Sequence, residues 1–148
     1  MERIALADKE NGTAKHAEHA NGCACQDRLD ALSQQIIGCA LTVMRGLGTG
    51  FLEKVYENAL VYELRKAGLL VEQQHRMVVR YDEIMVGDYT VDLLVENLVL
   101  VELKVTKAID DIHRAQCLNY LKATGLNLCL LLNFGRPRLE IKRMVQDF

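Results

Sequence analysis

From Asp27 onward, apolar residues recur three and four positions apart at Leu29, Leu32, Ile36, Ala40, Val43 and Leu47. That spacing lines one face of an α-helix, and Asp27 supplies a capping side chain ahead of it. Gly46, Gly48 and Gly50 break the pattern, and Phe51 opens a second helical run through Val55, Tyr56, Ala59, Leu60 and Leu64 that Gly68 stops. The texture then becomes β-branched and alternating over residues 71–81, 84–95 and 98–105, with Asp82-Glu83 and Glu96-Asn97 as the turns between them. Three antiparallel strands are expected. Asp110 or Asp111 can cap a third helix through Ile112, Ala115, Leu118 and Leu121, ended by Gly125. Residues 126–132 form an unbroken apolar run, as in a strand buried on both faces. Asn133-Phe134-Gly135 and the single proline, Pro137, then turn the chain into a last strand over 139–144. The predicted order is α-α-β-β-β-α-β-β, an α/β (α+β) fold with a mixed β-sheet flanked by helices.

At 148 residues, half of them hydrophobic, the chain is sized for one domain, placed here at 27–148. Residues 1–26 are rich in Ala, Gly, Asn, Lys and Glu and carry almost no large apolar side chain after Leu6, so a disordered tail is expected there. His16, His19, Cys23 and Cys25 in that tail are soft or borderline ligands of the kind zinc accepts, although C-x-C spacing is unusual and no second cluster supports it. Cys39, Cys117 and Cys129 read as reduced core residues, since five irregularly placed cysteines make no disulfide framework. No apolar run approaches the roughly 20 residues of a membrane helix and no secretory signal opens the chain. A cytoplasmic location, away from membranes, is expected. Eighteen basic against twenty acidic residues exclude a broadly basic nucleic-acid-coating protein, so any phosphate-binding surface must be local.

The stretch from Asp92 to Lys104 is chemically the most informative. Charged residues interrupt two strands that are otherwise Leu and Val. Glu102 and Lys104 are two apart and share one face of their strand. Asp92 can lie opposite Glu102 only if the hairpin pairing centres on Asn97, which demands an odd loop, most simply Glu96-Asn97-Leu98 with Asn97 left-handed, or a bulge. Two carboxylates about 4 Å apart repel by roughly 4 kcal/mol at an effective dielectric near 20, so a positive charge must offset them. Lys104 supplies one. Hard oxygen ligands on a rigid sheet also select Mg²⁺ or Mn²⁺. A structural ion-pair network of Asp92, Glu102 and Lys104 remains the alternative.

Together with Asp92 and Glu102-Leu103-Lys104, two further motifs stand out: Gly50-Phe-Leu-Glu53-Lys-Val-Tyr56 upstream and Gln116-Cys-Leu-Asn-Tyr120 downstream. With these motifs the sequence resembles the GxxExxY family, of the PD-(D/E)XK nuclease-like superfamily, over roughly residues 28–144. The resemblance implies an α-β-β-β-α-β core from Phe51 onward. It further implies that Asp92 and Glu102 are metal ligands, with Glu53 contributing, and that Lys104 is the catalytic-site lysine. Gln116 and Tyr120 match a Q-x-x-x-Y helix that borders the active site in an exonuclease-like branch. The implied activity is metal-assisted phosphodiester hydrolysis with Mg²⁺ or Mn²⁺, acting on DNA or RNA.

Lys107, His113 and Arg114 lie near enough in sequence to help bind phosphate. Tyr56 reads as a core tyrosine, Tyr120 is open between core and site, His113 reads as a partly exposed helix histidine, and Glu57 is placed outside the site. Two rivals stand beside the enzyme: a non-catalytic module that binds nucleic acid or a protein on the same scaffold, and an oligomeric accessory subunit joined through the strand after Leu126 or through Arg136-Pro137-Arg138.

Overall fold

A computed structural model describes the backbone of residues 10–146 and the side chains of residues 22–146. Among the described residues, three helices, α1 (Glu10–Leu47), α2 (Glu53–Lys66) and α3 (Asp111–Thr124), accompany five strands, β1 (Val71–Tyr81), β2 (Ile84–Val95), β3 (Val99–Lys104), β4 (Leu128–Asn133) and β5 (Glu140–Val145). The element order is the predicted one. The largest departure is the start of α1, which continues back from Asp27 to Glu10, so that residues 10–26, expected within the disordered tail, have helical backbone. That stretch contains no proline and is dense in alanine, the best helix former. Among the residues whose side chains are described, the first buried one is Leu29. Cys23 and Cys25 are exposed on the helix, and the side chains of His16 and His19 lie outside the described residues.

The strands stand in the sheet in sequence order, with β1–β2, β2–β3 and β4–β5 antiparallel and β3–β4 parallel. The one parallel pair needs a crossover, and α3 provides it. Each face of the sheet has its own core. Leu32, Ile36, Tyr56, Leu60 and Leu64 of α1 and α2 pack on Val101, Leu103, Leu130 and Leu132. Cys117, Tyr120 and Leu121 of α3 pack on Leu100, Cys129 and Leu131. Every residue of β4 is buried, which explains its lack of alternation.

The β2–β3 hairpin pairs Leu93 with Val101, Leu94 with Leu100 and Val95 with Val99, a register centred on Asn97 that leaves Glu96-Asn97-Leu98 as the loop. Asn97 is left-handed (φ 55°), and so is Glu96 (φ 53°). The Leu98 N–H closes the turn on the Val95 carbonyl at 3.0 Å. Positive φ at both central residues is the type I′ pattern that suits the twist of paired strands.

Candidate active site

Tyr56 anchors the entry to α2. Its ring is fully buried and stacks on Phe134 with centroids 4.8 Å apart. Its hydroxyl donates to the Gly48 carbonyl at 2.5 Å and accepts the Phe51 N–H at 3.3 Å. The connection between α1 and α2 is thereby tied down, and Glu53, the first residue of α2, is half-buried beside the sheet. Burial raises the pKa of Glu53, the nearby Asp92 charge raises it further, and Lys104 opposes both. These couplings put Glu53, Asp92 and Lys104 in one neighbourhood.

Asp92 and Glu102 face each other on the α3 side of the sheet, 8% and 5% exposed. The Asp92 Oδ2 accepts the backbone N–H of Leu103 at 2.8 Å, and the two carboxyl groups are close enough to shift each other's proton affinity. Burial, reinforced by the adjacent Asp92, pushes the Glu102 pKa up to about 9, with Lys104 pulling the other way. Burial also raises Asp92, partly offset by the Leu103 N–H. With no cation present, burial and the neighbouring charge favour the protonated form of Glu102. Glu102 Oε2 is buried and has no hydrogen-bond partner, an arrangement that is costly unless something fills it.

The floor and rim come from α3 and the β3–β4 connection. Tyr120, 3% exposed, lies 6.1 Å from the Tyr89 ring. Its pKa is raised, first by burial and then by the charge of Glu102. Cys117 and Cys129 are buried free thiols in the core under α3. Gln116 is half-buried, one turn before Tyr120. Asn133, fully buried opposite Lys104, accepts the N–H groups of Thr106 and Gly135 at 3.0 and 2.9 Å and donates to the Thr106 carbonyl at 3.0 Å. Phe134 N–H bonds the Lys104 carbonyl at 2.8 Å. Together these bonds fix the end of β3, and hence the base of the Lys104 side chain.

The remaining candidates are more peripheral. Lys107 is exposed on the loop after β3. His113 completes a capping box with Asp110, its Nδ1 accepting the Asp110 N–H at 3.3 Å, so only Nε2 is free to meet a phosphate. Arg114 is half-buried, and its Nε is buried without a partner.

One placement is corrected. Glu57, expected outside the site, is 2% exposed and receives Lys54 Nζ at 2.6 Å together with the side-chain amides of Gln73 and Gln74. Burial works against its charge, but the Lys54 and Gln73 hydrogen bonds outweigh burial and lower its pKa. Gln74 carries the connection onward to Asp92 Oδ1 at 3.2 Å. Sequence reasoning missed Glu57, Gln73, Gln74 and Asn133. The usable signal was the polar run Glu72-Gln73-Gln74-His75-Arg76, which a half-buried strand would interrupt with apolar residues.

Among the described residues, no three His, Cys, Asp or Glu side chains converge into a ready metal-binding group. Mg²⁺ asks for less, because one or two carboxylates suffice when water and phosphate complete its shell. The buried Asp92–Glu102 pair, with its unpartnered Oε2, fits that requirement.

A fold that brings an acid pair and a lysine to one end of a mixed sheet under a helix defines a nuclease-like protein, and sequence similarity agrees. Residues 30–144 match the family model of the PD-(D/E)XK nuclease superfamily, and the chain belongs to that superfamily. No curated protein matches it significantly. Among solved structures it is similar to an alkaline exonuclease (LHK-Exo) from Laribacter hongkongensis, at 15% identity and a TM-score of 0.48 over 64% of this chain and 56% of the other. It is also similar to SSO0001, at 13% identity and a TM-score of 0.50 over 65% and 51%. The chain spans little more than half the length of these structures, and at such identities the likeness concerns the fold alone. Among the described residues no helix is long and apolar enough to cross a membrane.

Proposed function

We propose that this protein is a metal-dependent nuclease of the GxxExxY type that hydrolyses phosphodiester bonds in DNA or RNA. The observation that carries the reading is the buried Asp92–Glu102 pair, whose Glu102 Oε2 has no hydrogen-bond partner. Asp92 and Glu102 would hold Mg²⁺ or Mn²⁺, with Glu53 and the Leu103 carbonyl as further oxygen donors. Bound there, such a cation supplies Lewis acidity to the scissile phosphate and acidifies water. Lys104 places its ammonium where negative charge grows in the transition state, and it orients the attacking water. Gln116 and Tyr120 hydrogen-bond the substrate from α3, while Lys107, Arg114 and His113 Nε2 hold flanking phosphates. With a net charge of −2 the chain lacks a broad basic surface, so contact with nucleic acid is local and duplex binding is weak at physiological salt.

The test is a Mn²⁺-dependent cleavage screen over labelled DNA and RNA, run beside Glu102→Ala, together with Mn²⁺ calorimetry. Wild type should bind the ion and cut at least one substrate. Asp92→Ala and Glu102→Ala should lose the ion, and Lys104→Ala should keep it yet lose turnover. Equal cleavage by wild type and all three variants would refute the assignment. Failure of wild type to bind Mn²⁺ would favour a non-catalytic binding module or an accessory subunit on the same scaffold.

A further inference from the structure

Two successive residues of β1 give their side-chain amides to one carboxylate. Gln73 donates to Glu57 Oε2, and Gln74 donates to Glu57 Oε1 at 2.7 Å. Successive side chains of a strand point to opposite faces, so a regular β1 could present only one of the two. Gln74 escapes the alternation with a left-handed backbone (φ 56°). The other non-glycine residues of positive φ among the described residues, Asp82, Glu83, Glu96 and Asn97, all sit in hairpin turns. Gln74 alone adopts that conformation within a strand.

The neighbouring register changes accordingly. Gln73 pairs with Leu93 and His75 with Val91, and the pair between them, Gln74 and Asp92, drops out of the ladder. The core faces exchange at the same point. Val71, Leu93 and Val95 belong to the cluster under α1 and α2, whereas Met77 and Val91, in step with them by alternation, belong to the cluster under α3. A long polar side chain is rarely held in a left-handed strand position without a function to retain it.

We propose that Gln74 is a positioning residue that fixes the Asp92 carboxylate before any ligand arrives. Its amide spans Glu57 Oε1 and Asp92 Oδ1, using both hydrogens. Leu103 N–H holds the other Asp92 oxygen. Asp92 is thus gripped from β1 through one oxygen and from β3 through the other. Glu57, kept charged by Lys54 and Gln73, is the anchor of the chain and not a ligand. The inference deepens the proposed function and rests on its reading of the acid pair as a cation site.

The experiment uses the full chain with Gln74→Gly, which tolerates the left-handed backbone and removes the amide. Gln74→Asn tolerates the same conformation on a shorter arm, and Arg76→Ala, which on the same strand loses only its bonds to the exposed Asp88, is the comparison. In calorimetry with Mn²⁺, Gln74→Gly should melt no lower than wild type yet bind the ion about tenfold more weakly. Gln74→Asn should fall between the two, and Arg76→Ala should change affinity little. Without metal, the side-chain ¹H–¹⁵N amide signal that vanishes in Gln74→Gly should move in Asp92→Ala. Undiminished Mn²⁺ affinity in Gln74→Gly, or an amide signal indifferent to Asp92→Ala, would overturn the proposal. If wild type takes up no Mn²⁺, the cation reading fails by itself, and the amide signal still decides whether Gln74 holds Asp92.

Discussion

Past the Leu93–Val101 pair, the β2–β3 ladder gives way to a side chain: Asp92 Oδ2 takes the backbone N–H of Leu103 at 2.8 Å. The carboxylate therefore does structural work at the point where the β1–β2 arm leaves the sheet. Residues 84–90 of β2 are exposed or nearly so, whereas 91–95 are buried. The acid pair lies at this divergence, where the two strands separate.

Glu102 should make the metal-free protein lose stability as pH rises. In the fold it keeps its proton to about pH 9, whereas its ordinary value is 4.5. Below the lower value both states are protonated and the group costs nothing. Between the two values unfolding releases the proton, so stability falls with increasing pH and levels off above the upper one. Each tenfold rise in proton affinity corresponds to about 1.4 kcal/mol. Glu102→Gln keeps the shape without the ionisation. Thermal melts in metal-free buffer should place it clearly above wild type at about pH 8 and close to wild type at about pH 4. A wild-type melting temperature that is flat across this range would contradict the raised proton affinity of Glu102.

Tyr56 should act through its hydroxyl as well as its ring. Tyr56→Phe removes the donor to Gly48 and leaves the Phe51 N–H without its acceptor, at an expected cost of about 1–3 kcal/mol. Tyr56→Ala also opens a cavity against Phe134 and should cost about 3–5 kcal/mol. Urea denaturation measures both, and equal stability of Tyr56→Phe and wild type would remove the anchoring role.

The turn after β4 should tolerate almost no change. A Cβ on Gly135 would lie 2.3 Å from the Thr106 carbonyl oxygen and 2.4 Å from its nitrogen. Backbone must move to admit it. Gly135→Ala should destabilise by about 1–3 kcal/mol, and Asn133→Ala, which strips partners from both polar groups of Thr106, by a similar amount. Because this turn braces Lys104, amide exchange in residues 104–106 should rise in both variants.

The capping box of α3 offers a milder test. Asp110→Ala loses the bond to the His113 N–H at 3.0 Å and should cost about 1 kcal/mol. Circular dichroism melts would register the loss, and a proportionate weakening of substrate binding is expected if α3 presents Gln116 and Tyr120.

Much of this was legible in the chain because local physics decides it. The 3.6-residue and two-residue periods gave the elements in order, Gly125 ended α3 in the left-handed conformation (φ 73°), and parity arithmetic placed the hairpin centre at Asn97, where the register has it. Asp92, Glu102 and Lys104 could be singled out because charge is out of place in Leu-Val strands. Glu57 could not, since a glutamate one turn beyond Glu53 reads as solvated until β1 is seen to cover it. Gln74 was hidden for a related reason: its left-handed backbone contradicts its own intrinsic preference and survives only through hydrogen bonds to α2 and β2.

The sequence by itself determined the order of helices and strands, the parity that lets Asp92 meet Glu102, and the residue types able to bind a hard cation. Tertiary structure alone decided that the acid pair is buried and that one of its oxygens lacks a partner. It also decided that Glu57 is an anchor and that β1 breaks its alternation at Gln74. Periodicity and residue chemistry are properties of neighbours along the chain, whereas desolvation and hydrogen-bond satisfaction belong to groups far apart in sequence that only packing brings together.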